Sequence, residues 1–264
     1  MRKKIILNKR LGQTPLELIE EYKKKHPKYR NIKMAYAGRL DPMAEGKLLL
    51  VIGEECKNLK KYTDLNKEYI FEILLGFKSD SQDVLGLAEA HSLPRRLQAT
   101  VALGTPPSKK DIKKVLKNYI GKITLPYPIF SSKTVHGKQL FLWALENRLD
   151  EIKIPEREVE IYKLKYLGKK KIKKEKLQGE IFKKINSIKE VKEKSKLLGA
   201  DFRRNEIRAN WNNLFKTARQ ENFYTLKFKC RCSSGTYMRV LAEKIADELG
   251  EYGLAYSIKR TKIF

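Results

Sequence analysis

The sequence predicts a mixed α/β fold from two patterns and the punctuation between them. Some stretches alternate apolar and polar residues at period two, others repeat apolar residues at helical spacing, and Gly, Pro or short polar clusters separate them. Alternation is plainest in residues 67–76, KEYIFEILLG, where Tyr69, Phe71, Ile73 and Leu75 share one face. It recurs in residues 224–232, where Tyr224, Leu226, Phe228, Cys230 and Cys232 oppose Thr225, Lys227, Lys229 and Arg231, the pattern of a half-buried strand with a basic open face.

The remaining elements follow in chain order. Thr14 can cap a helix that has Pro15 at its first position and Glu17 three residues after the cap, so a helix is expected from Pro15 to about Lys25. The apolar run in residues 47–53 reads as a buried strand. A second helix is expected between Ser108 and Gly121, with Ile112, Val115, Leu116, Tyr119 and Ile120 on one stripe. A strand is expected near residues 160–166. A further helix carries Met238, Leu241, Ala242, Ile245 and Leu249 on its apolar face and stops at Gly250; residues 254–264 then return to strand character. With 264 residues, the chain can bury the core of one large domain or two small ones.

Charge narrows the function. The chain has 58 Lys and Arg against 31 Asp and Glu, a formal net charge of +27, which points to a nucleic-acid partner because clustered cations are rewarded by counterion release from phosphates. An anionic membrane is the rival, but no apolar run is long enough to span a bilayer and no signal-peptide pattern opens the chain, so a cytoplasmic protein is expected. Cys56, Cys230 and Cys232 form no CxxC pair, and His26, His91 and His136 lie far apart, so no metal site and no Ser-His nucleophile are expected. No Gly-rich phosphate loop is present either. Any catalysis therefore falls to carboxylate, Arg, Lys or Tyr.

The most basic segment is residues 165–208, with 16 Lys and Arg against 6 Asp and Glu. Its apolar residues Ile185, Ile188, Val191 and Leu198 keep helical spacing, so it reads as a Lys-rich helical insertion that either presents solvated charged faces or contacts RNA directly.

The chemistry-bearing segment is Ala35 to Gly46, AYAGRLDPMAEG. Gly38, Ala44 and Gly46 leave room for another backbone or a ligand, and Pro42 stops helix continuation after Asp41, so the acid is held in a tight turn. An Asp-Pro pair taken alone also serves simply to close a turn.

Read in order, AGRLDPMAEG, KEYIFEILLGFKSDSQDVLG, IGKITLPYPIFSSKTVHGKQLFLWA, CSSGTYMR and SIKRTKIF resemble the TruB family of tRNA pseudouridine synthases, over most of residues 5–163 and 222–264. The resemblance implies one catalytic domain around a central, largely antiparallel sheet flanked by helices, with the cleft across it. It implies conversion of uridine 55 in the tRNA T stem-loop to pseudouridine, by cleaving the N-glycosidic bond and rejoining the sugar to C5, with no cofactor or metal and with a monomer favoured. Asp41 takes the position of the catalytic carboxylate, and Arg239 that of its cationic partner, which would favour the ionised acid. Tyr69 takes the position of the tyrosine that stacks on the target base; Tyr237 would line the same pocket and Ile258 would form an apolar wall. Lys9, Arg39, Lys67, Lys259 and Arg260 fall at basic positions expected to be structural or RNA-contacting.

Three departures stand out. Tyr36 stands where the family usually has His and is expected to stack near the base; Arg39 replaces a small residue beside the acid; Arg10 stands where Pro often follows the Lys. The chain stops at SIKRTKIF, so the C-terminal PUA-type RNA-binding domain of many relatives is expected to be absent, with the Lys-rich insertion partly replacing its RNA contacts. Two alternatives keep the fold: a non-catalytic RNA-binding or tRNA-folding protein, and a pseudouridine synthase acting on another RNA site. The joint presence of Asp41, Tyr69 and Arg239 argues against the first.

Overall fold

A computed structural model describes residues 2–90, 106–189 and 203–264. His91, Val191 and Leu198 lie outside the described residues. In chain order the elements are β1 (Lys4–Lys9), α1 (Pro15–Lys25), β2 (Met34–Ala37), β3 (Ala44–Ile52), α2 (Leu59–Thr63), β4 (Lys67–Leu75), β5 (Phe77–Ser79), β6 (Ala88–Ala90), α3 (Lys109–Lys117), β7 (Gly121–Pro126), β8 (Thr134–Val135), β9 (Lys138–Gln139), α4 (Leu140–Leu145), β10 (Glu156–Lys173), α5 (Lys174–Asn186), α6 (Arg204–Thr217), β11 (Asn222–Cys232), α7 (Met238–Glu248) and β12 (Gly253–Ile263).

Local chemistry sets the helix starts. The Thr14 hydroxyl accepts from the Glu17 N–H at 3.2 Å, while the Glu17 carboxylate accepts from the Thr14 N–H at 2.8 Å, a reciprocal cap that fixes α1. Ser108 caps α3 by accepting from the Asp111 N–H at 3.1 Å.

An eight-stranded sheet forms the centre, ordered β1-β3-β12-β4-β11-β10-β7, with β2 also paired to β3. Its pairings are antiparallel except that between β12 and β3, so the sheet is largely antiparallel, as the resemblance implied. Alternation decides what faces inward. Phe71 of β4 stacks on Phe228 of β11 with ring centroids 5.3 Å apart, and both join one core with Leu241 and Ile245 of α7.

The Lys-rich segment corrects one expectation. Residues 165–173 are not helical: β10 continues to Lys173, paired residue for residue with β11 as far as Lys173↔Asn222, with a bulge between Tyr166 and Gly168. The ladder satisfies the backbone while the side chains of Lys169, Lys170 and Lys171 stay exposed, so a run of lysines costs the strand little. Helical structure resumes in α5 and α6, whose Leu177, Ile181, Ile185, Ile207, Trp211 and Phe215 are buried in the main core. The Trp211 indole donates to the Val84 carbonyl at 3.1 Å, which ties α6 to the turn after β5. Among the described residues, no helix is long and apolar enough to cross a membrane.

Candidate active site

Asp41 lies in the turn between β2 and β3, and its side chain is 31% exposed into a cavity of about 640 Å³, within the size range of small-molecule sites. The turn is held by backbone contacts. The Ala44 N–H donates to the Asp41 carbonyl at 3.0 Å, and the Gly12 N–H donates to the Pro42 carbonyl at 2.9 Å. The third position of β3 requires glycine: the φ of Gly46 is +103°, and a β-carbon there would stand 2.3 Å from the Arg260 carbonyl oxygen.

Arg239, in the first turn of α7, is 4% exposed. Its Nε donates to Asp41 Oδ2 at 3.1 Å, one terminal nitrogen donates to the Ser81 carbonyl at 2.9 Å, and the other to the Phe130 carbonyl at 2.8 Å. Three acceptors from distant parts of the chain thus fix both the cation and the carboxylate it holds.

Tyr69 is 8% exposed on β4 and lines the same cavity. Burial pushes its phenol up to about 12, so it is protonated at neutral pH. Tyr237 and Ile258 also line the cavity; burial, then the charge of Asp41, raises the Tyr237 phenol. The structure therefore brings Asp41, Arg239, Tyr69, Tyr237 and Ile258 together around one space.

The basic positions separate. Arg39 is exposed at the cavity. Lys67 and Arg260 reach the cavity but are almost wholly buried. Arg260 donates from Nε to the Lys47 carbonyl at 2.6 Å and from a terminal nitrogen to the Gly38 carbonyl at 3.1 Å, so it braces the acid's turn. Lys67 donates to the Thr63 carbonyl at 2.5 Å, and burial, then Arg260, lowers its ammonium to about 8. Lys9 is no surface contact: it is 1% exposed, it donates to the Gln13 carbonyl at 2.7 Å, and burial lowers it to about 8. Lys259 points to the opposite face of β12 from Ile258 and Arg260, where it pairs with Glu45 at 3.4 Å.

Tyr36 is also displaced from its expected place. The period-two alternation of β2 packs it with Met34 against Leu18, Ile19, Leu48 and Leu50, in the cluster under α1, and it is not among the residues lining the cavity.

Two site residues were not singled out from the sequence. Asp83 is 4% exposed at the cavity wall, and its Oδ1 accepts from the Ser81 hydroxyl at 2.8 Å and the Leu85 N–H at 2.9 Å. Burial pushes its carboxyl up to about 6 against the opposing pull of Arg239. Its signal in the sequence is the DSQD string of residues 80–83, whose residue types equally form a plain turn. Arg203, at the start of α6, lines the cavity, pairs with Asp80 at 2.8 Å and lies 4.4 Å from the Phe130 ring centroid. The Lys-rich segment thus reaches the cavity itself.

A half-open carboxylate fixed by a buried arginine, beside a protonated tyrosine and within a basic chain, defines an acid-centred site for a nucleotide-sized group. Residues 24–181 match the family model described as TruB family pseudouridylate synthase, N-terminal domain, and the chain belongs to that family. It is 28% identical over 234 residues to the tRNA pseudouridine synthase B of Rickettsia akari, covering 89% of this chain and 58% of that protein. It is 27% identical over 256 residues to the tRNA pseudouridine synthase B of Syntrophomonas wolfei, covering 97% of this chain and 64% of that protein. The chain therefore spans between half and two-thirds of the length of these relatives. A chain in a crystal structure of a Cbf5-Nop10-Gar1 complex shares the fold, with a TM-score of 0.53 and 16% identity over 98% of this chain and 48% of that one.

Proposed function

We propose that this protein isomerises uridine 55 in the T stem-loop of tRNA to pseudouridine, with Asp41 as the catalytic carboxylate. The observation that carries the reading is the Asp41–Arg239 pair at 3.1 Å, open on one side to a cavity lined by Tyr69. In the reaction, the C1′–N1 bond breaks, the base turns, C1′ bonds to C5, and the C5 proton is lost while N1 gains one, so the product is an isomer. Attack on the base, attack on the sugar and removal of the C2′ proton each need a carboxylate held in a fixed orientation, which the buried Arg239 supplies through its Nε at 3.1 Å. Tyr69 enters the reaction protonated, which suits it as a stacking platform for the extruded uracil; base–aromatic stacking contributes roughly 1–3 kcal/mol. The relatives' names carry the choice of tRNA as substrate. The same reading has the protein acting in the cytoplasm as a monomer, without metal or organic cofactor.

Tritium release from tRNA carrying 5-tritiated uridine tests it. Asp41→Asn should abolish release while tRNA binding stays within about tenfold, because the carboxylate is one contact in a large interface. Retained turnover removes Asp41 from the chemistry. Pseudouridine mapping of the treated tRNA should show the new residue at position 55; a modification elsewhere moves the target and leaves the carboxylate assignment standing.

A further inference from the structure

Arg157 lines the same cavity as Asp41, yet its side chain enters no hydrogen bond or ion pair with any described residue. It lies on β10 opposite Leu125 of β7, and strand alternation puts its side chain on the side of Val159 and Ile161, towards α7. Its acidic neighbour Glu158 points the other way and pairs with Lys122 at 3.4 Å. The cation is exposed, but its place is built. Gly235, in the turn before α7, has φ +80°, and a β-carbon there would stand 2.3 Å from Arg157 Cζ, 2.4 Å from Nη1 and 2.6 Å from Nε. The guanidinium therefore rests on bare backbone, and a side chain at residue 235 would push the flexible end of Arg157 off this position.

Its surroundings select the ligand. Arg39 is a second exposed arginine at the cavity with no partner among the described residues, and the buried Lys67 feels the charge of both Arg157 and Arg260. Next to Arg157, the Tyr237 ring meets Tyr127 edge to face at 5.8 Å. Unspent guanidinium donors beside aromatic rings fit an anion attached to a base, the chemistry of a nucleic-acid phosphodiester.

We propose that Arg157, seated on Gly235, binds a phosphodiester of the RNA strand whose base enters the cavity. This assignment rests on the RNA-modifying reading above, but its test needs no turnover. Binding of a T stem-loop RNA and of an unrelated hairpin is measured by fluorescence anisotropy across a salt series. Arg157→Gln should weaken binding roughly tenfold at low salt and reduce the log–log salt slope by about 1. Arg157→Lys should restore the slope and only part of the affinity, since it returns the charge without the planar fork. Gly235→Ala should weaken binding less in the Arg157→Gln background than in the parent; equal losses in both backgrounds overturn the seat. Unchanged affinity and slope for Arg157→Gln on both RNAs overturn the phosphodiester contact. If the parent binds the two RNAs equally, the T stem-loop reading fails, while a slope change in Arg157→Gln on either RNA still supports the contact.

Discussion

Asp83 illustrates how one residue's surroundings set its titration. Its folded carboxyl titrates near about 6 against 3.8 for an ordinary aspartate, chiefly because it is buried. As pH rises from about 4 to about 6, the unfolded chain gives up this proton first, so the native state binds more protons and stability falls through that window. Above it the cost is constant, at up to about 3 kcal/mol for a shift of this size. Asp83→Asn keeps an acceptor for Ser81 and Leu85 but cannot ionise. Its melting temperature should rise relative to the parent between about pH 4 and pH 6.5 and then hold a constant offset, as thermal unfolding across pH would show; a difference independent of pH would contradict the burial argument. Arg239 behaves differently, since its charge is spent on one carboxylate and two carbonyls. Arg239→Leu should destabilise by about 3–5 kcal/mol in denaturant unfolding, because those acceptors lose their donors at a buried position.

Among the elements, the parallel pairing of β12 with β3 is where the turn that carries Asp41 is fixed. β12 meets β3 only at Ile258↔Ala44, Lys259↔Glu45 and Arg260↔Gly46, directly after Asp41 in the chain. Gly46→Ala would drive a β-carbon into the Arg260 backbone, which cannot rotate away, and would strain a positive φ as well. A loss of roughly 2–4 kcal/mol is expected in denaturant unfolding, together with lost turnover, because the acid's turn shifts when the strands part. Much of this level was legible in the sequence. The cap at Thr14, the stop at Gly250 and the inward faces of β4 and β11 follow from short-range chemistry that the local residues state directly. Residues 165–173 were misread because lysine supports a paired strand edge as well as a solvated helix, and only the partner strand β11 distinguishes the two. Tyr36 was misplaced for a related reason: its motif position suggested a stacking role, but the face of β2 it occupies is set by pairing with β3.

Over the whole molecule, the net charge of +27 is spread rather than confined to the cavity, and the exposed lysines of β10 make up part of it. Replacing Lys169, Lys170 and Lys171 by Gln should leave stability within about 0.5 kcal/mol, since all three are exposed. The same variant should flatten the salt dependence of tRNA binding; an unchanged slope would remove this strand from the RNA contact. Removing residues 168–208 would be a poor test of the same idea. That span contains α5 and the first part of α6, whose buried side chains belong to the main core. In the part of α6 that such a deletion would leave behind, Trp211→Ala should cost about 3–5 kcal/mol in denaturant unfolding. By itself the sequence determined the types of the plainly periodic elements, the basic character and the tight turn that carries Asp41, because these depend on neighbouring residues and on composition. The tertiary structure decided which charges reach the cavity. Arg239, Asp83, Arg203 and Arg157 come from separate segments, while Lys9, Lys259 and Tyr36 are not among the residues that line it, since burial and facing are settled only when distant strands pair.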